Sequence, residues 1–135
     1  MRSLAVAIVL VLGCHGVPDG PSAIDYDHEA CAHCRMLIGD PRYAAQLVTG
    51  DGDVLDFDDP GCLLRYVADA HPTVHRMFFR DAHRARWLVG PAVAFVVEAT
   101  PMGYGYAAVD PATPGAVPLA TVTATLEAAH HRGAP

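Results

Sequence analysis

Residues 44–64 constrain the fold more than any other stretch of the chain. Two strand-like runs, 44–49 and 53–57, flank Gly50-Asp51-Gly52, a composition that turns a hairpin. Asp58-Asp59-Pro60 follows at once: Asp59 suits a helix N-cap, and Pro60 suits the first helical position, where its missing N–H costs nothing. Leu63, Leu64 and Val67 then give the helix one apolar face, and His71-Pro72 ends it. A hairpin running directly into a helix predicts an α+β fold.

The remaining chain continues that pattern. Residues 74–80, 86–89 and 92–98 read as strands, with Gly90-Pro91 as the break between the last two. Thr100-Pro101-Met102-Gly103 is a tight loop, and residues 104–109 form another strand. A Pro-rich loop, 110–118, leads to a helix of roughly ten residues centred on 123–129. The order predicts two small halves of strand-strand-helix-strand type, a degenerate duplication with little shared sequence.

Just upstream lies the chemistry. Cys31-Ala32-His33-Cys34-Arg35-Met36 carries two thiols, an imidazole and a thioether in six positions. In an extended backbone Cys34 and Met36 leave the same face, and a thiolate with a thioether suits a soft monovalent ion, Cu(I) before others. Zinc gains little from methionine. The hexapeptide by itself also fits a redox pair or a Cys31–Cys34 disulfide. Cys62, in the first turn of the helix, is expected as a small buried apolar residue. Its place at the positive end of the helix dipole would lower its pKa and make it reactive, or a further ligand if the helix faces the motif. His28 and His33 are further candidate ligands, although exposure to solvent is the commoner state for both.

The beginning of the chain reads as an address. Arg2 precedes an apolar run, 4–12, too short to span a bilayer and of the length of a signal core. It closes on Val11-Leu12-Gly13-Cys14, which resembles the lipobox of bacterial lipoproteins. The resemblance implies a signal peptide over 1–13 and lipid on Cys14, hence a membrane anchor. Residues 14–30 would be a flexible tether and 31–135 the folded domain. With Cys14 lipidated, three cysteines remain, an odd number that disfavours a purely structural disulfide framework. Nine basic residues, all Arg, stand against 15 acids, a net charge of −6 with no basic run, which argues against nucleic acid as a partner.

Taken together these features resemble the NosL family. The order is a lipobox, Cys34-x-Met36, Ala44-Ala45-Gln46 before a Gly-Asp-Gly hairpin, Phe57-Asp58-Asp59 opening a helix, a strand with Trp87, and Pro101-Met102-Gly103-Tyr104. The resemblance covers roughly residues 31–109. It implies a lipoprotein Cu(I) chaperone on the periplasmic side of a membrane, with a fold similar to that of organomercurial lyase. The copper would go to a membrane transporter complex or to a copper enzyme such as nitrous oxide reductase. Cys34 and Met36 match the family's thiolate and thioether, and Met102 matches the methionine of its Pro-Met-Gly loop. Cys31, His33 and His28 stand as possible additional ligands. Arg35 occupies a position where the family commonly has glycine; in a strand it would point away from the metal. Two rivals remain: a thiol-disulfide or organomercurial-type enzyme using Cys31, Cys34 and Cys62, and a structural zinc module of Cys31, Cys34, Cys62 and His33 or His28.

Overall fold

The structure is a computed structural model that describes residues 16–133. The signal peptide and Cys14 expected from the sequence lie outside the described residues. The hairpin forms as its turn chemistry requires: β1 (Ala45–Thr49) pairs antiparallel with β2 (Val54–Phe57), with Ala45 opposite Phe57 and Val48 opposite Val54. Helix α1 (Pro60–Ala70) starts on Asp59, whose carboxylate accepts the Gly61 N–H, and ends at His71 in the left-handed conformation. β3 (Val74–Arg80) returns antiparallel along the other edge of β1, and β4 (Trp87–Val89) pairs with β3. The first sheet therefore has the order β2-β1-β3-β4.

The second sheet repeats the principle with its first strand in the middle. β5 (Ala94–Val97) is flanked by β6 (Tyr106–Val109) and β7 (Val117–Pro118), and α2 (Leu119–Gly133) closes the chain. The fold is α+β, with two small antiparallel sheets and two helices. In the second half, however, the helix follows the third strand instead of preceding it. Two-residue β7 has too little alternation to register as a strand, and it starts α2 earlier than the apolar pattern indicates.

Both halves share one core. Phe57, Leu47, Leu63, Phe79, Phe95 and Val122 are buried together, and the Phe79 and Phe95 rings meet edge to face at 5.5 Å. That contact ties the first sheet to the second and has the geometry aromatic quadrupoles favour. The Ala82 N–H donates to the Ala108 carbonyl at 2.8 Å, a second link between the sheets.

The segment expected as a free tether lies along the first sheet over its described part. Gln46, on the middle strand β1, is fully buried; its Oε1 accepts the Ser22 N–H at 2.7 Å, and its Nε2 donates to Asp56 Oδ1 at 2.6 Å. A buried amide needs such partners, and only the incoming chain and the cross-strand neighbour can supply them here. Asp19 meets His75 at 3.1 Å and Arg76 at 3.6 Å on β3, and Ile24 packs on the main core. No helix among the described residues is long and apolar enough to cross a membrane.

Candidate metal centre

The cysteine motif is not an extended strand. Residues 27–38 fold back on themselves: Asp27 N–H donates to the Ile38 carbonyl, Ile38 N–H to Glu29, and Cys31 N–H to Met36, at 2.8–2.9 Å. The tip is a turn closed by the Arg35 N–H on the Cys31 carbonyl at 3.0 Å, with Arg35 itself at φ 66°. A left-handed residue ends the turn, which explains why glycine would suit this place. Cys34 therefore sits in a turn, and the alternation argument that sent Arg35 to the opposite face does not apply.

Two bonds pin the turn against β2 and the start of α1. Ala32 N–H donates to the Asp56 carbonyl at 2.8 Å, and Gly39 N–H to Asp58 Oδ1 at 3.2 Å. Cys62, the third residue of α1, reaches the same point from the helix side. The result is that Cys31, Cys34 and Cys62 have all three sulfurs within 4.8 Å of one another. Cys31 and Cys62 are fully buried, Cys34 is half-buried, and all three are free thiols. A metal–thiolate bond of about 2.3 Å sets the sulfurs of a trigonal site about 4 Å apart, so one soft ion fits the separation.

The three thiols are electrically unequal. Cys31 is held far below its ordinary value, to about 4, first by the hydrogen bond from the Cys62 thiol. Backbone N–H groups of Asp58, Cys34 and His33 add to that effect, and together they outweigh burial. Cys62 is pushed strongly up, first because it donates to Cys31 and then because it is buried. The helix-dipole expectation for Cys62 is thus reversed: within the pair it is Cys31 that is lowered and Cys62 that is raised. Burial also raises Cys34, against the opposing Met36 N–H.

The thioethers lie outside. Met36 is 59% exposed and Met102 38% exposed. Met102 belongs to the loop before β6, which is fastened to the same helix end, its N–H donating to Asp59 Oδ2 at 3.0 Å. Tyr104, from the same loop, packs against Gly61; a Cβ there would stand 2.1 Å from Tyr104 Cγ. The fold thus fastens the segments that carry Met36 and Met102 to neighbouring residues at the start of α1, Asp58 and Asp59. Neither expected histidine belongs to the thiol cluster: His28 is exposed and bonds the Tyr26 carbonyl and Asp25, and His33 is half-buried. Cys62 is buried as expected, and because α1 faces the motif turn it also belongs to the thiol cluster, the alternative that its position in the first helical turn allows.

No family model matches the chain, and no curated protein matches it. A solved structure does: the crystal structure of the copper chaperone NosL from Shewanella denitrificans, at TM-score 0.56 and 19% identity, over 83% of this chain and 88% of that one. The fold is NosL-like. At that identity the likeness carries the arrangement of sheets and helices, and the sulfur cluster stands on its own geometry. The NosL-like frame delivers a turn and a helix N-terminus to one place, and in this chain both ends carry cysteine.

Proposed function

We propose that this chain is a metallochaperone for Cu(I), anchored by lipid on Cys14 to face the periplasm. It would deliver copper to a transporter complex or to a copper enzyme such as nitrous oxide reductase. Copper is here the cargo, held by Cys34 with Met36 and Met102 as partners on the solvent side. The observation that carries the reading is the half-buried thiol of Cys34, within 4.8 Å of the two buried thiols of Cys31 and Cys62. A soft d10 ion is satisfied by two or three sulfurs, so a thioether can leave when an acceptor's ligand arrives. The ion then passes hand to hand and is never free. Support for the fold comes from the copper chaperone that the chain resembles.

The chemistry also weighs against the rivals. A structural zinc site favours four closed ligands, and the cluster offers three, with both candidate histidines outside it. A redox pair of the usual kind opens a helix with its first cysteine, whereas Cys31 and Cys34 lie in a turn.

Anaerobic titration with Cu(I) against a competing chromophoric chelator tests the proposal. Cys34→Ser should weaken copper binding by about 100-fold or more, and apo protein should stay folded. Wild-type affinity in Cys34→Ser, or unfolding on chelation, would remove the copper reading.

A further inference from the structure

The cluster holds more thiol than a thiolate–thioether site needs. Cys31 and Cys62 have no exposed surface, Met36 is 59% and Met102 38% exposed, and Cys34 is intermediate in exposure. Cys34 and Met36 are joined in one turn, and Met102 is tied by its amide to the residue that caps the Cys62 helix. Five sulfur-bearing side chains thus form a gradient of depth around one helix end.

We infer that the ion occupies two positions in turn: an inner one on the sulfurs of Cys31, Cys34 and Cys62, and an outer one on Cys34, Met36 and Met102, with Cys34 common to both. The identity of the ion rests on the copper reading above; the inner sulfur geometry stands apart from it. The inner position suits storage. Its three sulfurs lie within 4.8 Å of one another, two of them on residues with no exposed surface, and Cys62 sits in the first turn of the 11-residue helix α1. The outer position suits release, because a single thiolate with Cu(I) is neutral and thioether bonds are weak.

The exchange involves no change of oxidation state. Entering the inner site, Cu(I) leaves its donor's ligands and forms bonds to three sulfurs, and the thiol protons that it displaces go to solvent. Moving outward, it breaks the bonds to Cys31 and Cys62 and forms two to thioethers, while the freed inner sulfurs take protons back from solvent. Cys34 stays bound throughout, so the ion always has a strong ligand.

Cu(I) competition titrations and stopped-flow transfer to the chelator, on the full chain under anaerobic conditions, test this. Cys31→Ala and Cys62→Ala should each weaken Cu(I) binding by about tenfold or more. Met36→Ala/Met102→Ala, which removes only the outer ligands, should lose less affinity than Cys34→Ser and slow transfer to the chelator by about tenfold. Wild-type affinity in both folded Cys→Ala variants, with Cys34→Ser still losing copper, would overturn the inner position and leave the copper reading intact. So would a Met36→Ala/Met102→Ala protein that loses as much affinity as Cys34→Ser, a result readable even if the buried variants fail to fold. Wild-type affinity in Cys34→Ser would overturn both.

Discussion

The carboxylate of Asp59 holds the backbone of Met102: Oδ2 accepts the Met102 N–H at 3.0 Å while Oδ1 accepts the Gly61 N–H at 2.8 Å. One fully buried side chain therefore caps α1 and fixes the methionine loop, residues that are 43 positions apart. The helix start that presents Cys62 and the loop that presents Met102 cannot move independently.

Replacing Asp59 separates its two duties. Asp59→Asn keeps an oxygen for Gly61 but turns an amide N–H₂ toward Met102. It should leave α1 capped and speed hydrogen exchange at the Met102 amide. Asp59→Ala strands both donors and should cost about 3 kcal/mol in urea unfolding, the sum of a lost cap and a buried unpaired N–H. Unchanged exchange at Met102 in Asp59→Asn would show that the loop does not depend on this bond.

Gly61 has no room for a side chain, because the Tyr104 ring occupies the space. Tyr104 is itself set deep enough that burial pushes its hydroxyl up to about 12. Gly61→Ala should displace the ring, cost about 2 kcal/mol as overpacking does, and bring the Tyr104 pKa back toward its ordinary value. Spectrophotometric titration of tyrosine reads the second effect.

Arg35 carries a left-handed backbone, φ 66°, at an exposed position whose side chain makes no ion pair among those described. An L side chain in that conformation costs roughly 1 kcal/mol. Arg35→Gly should raise apo stability by about that amount, partly offset by the greater freedom of unfolded glycine. Thermal unfolding of the apo protein measures it, and a lowered melting temperature would contradict the assignment of strain.

Asp58 lies beside Cys31 and is 5% exposed. Burial first, and the negative Cys31 sulfur among other charges, hold its carboxyl above the usual carboxylate value, against the Gly39 N–H. A carboxyl raised in the folded state binds its proton more tightly there than in the unfolded chain. Its ionisation therefore costs stability as pH rises above 3.8, and the cost is complete at neutral pH. Asp58→Asn keeps an acceptor for Gly39 and removes the charge. It should be more stable than wild type by about 1 kcal/mol at pH 7, with the gain shrinking as the medium is acidified through the raised value. A gain that grows toward acid would reverse this sign.

How far the chain could be read ahead depended on where each instruction lay. The hairpin at Gly50-Asp51-Gly52 and the Asp59-Pro60 helix start are local. Turn geometry and a missing proline N–H act between near neighbours, so β1, β2 and α1 follow from the residues that form them. The motif turn failed that test. Period-two alternation set Met36 beside Cys34, but the hydrogen bonds that shape 31–36 come from Asp56 and Met36 carbonyls brought together by folding back. Gln46 is similar, since a buried amide in a strand discloses nothing of Ser22, 24 positions away, until the chain lies against it.

By itself the sequence determined the α+β class and the stock of soft donors: thiols and thioethers at fixed places along the chain, with no lysine to compete for charge. Only the tertiary structure decided that Cys62 joins Cys31 and Cys34 within 4.8 Å, and that Cys31 and Cys62 lie buried while Met36 and Met102 remain exposed. The physical reason is range. Backbone preference reaches a few residues, whereas a metal-sized cluster needs a turn and a helix end, separated by a whole hairpin, to be pinned to the same point by hydrogen bonds and a common core.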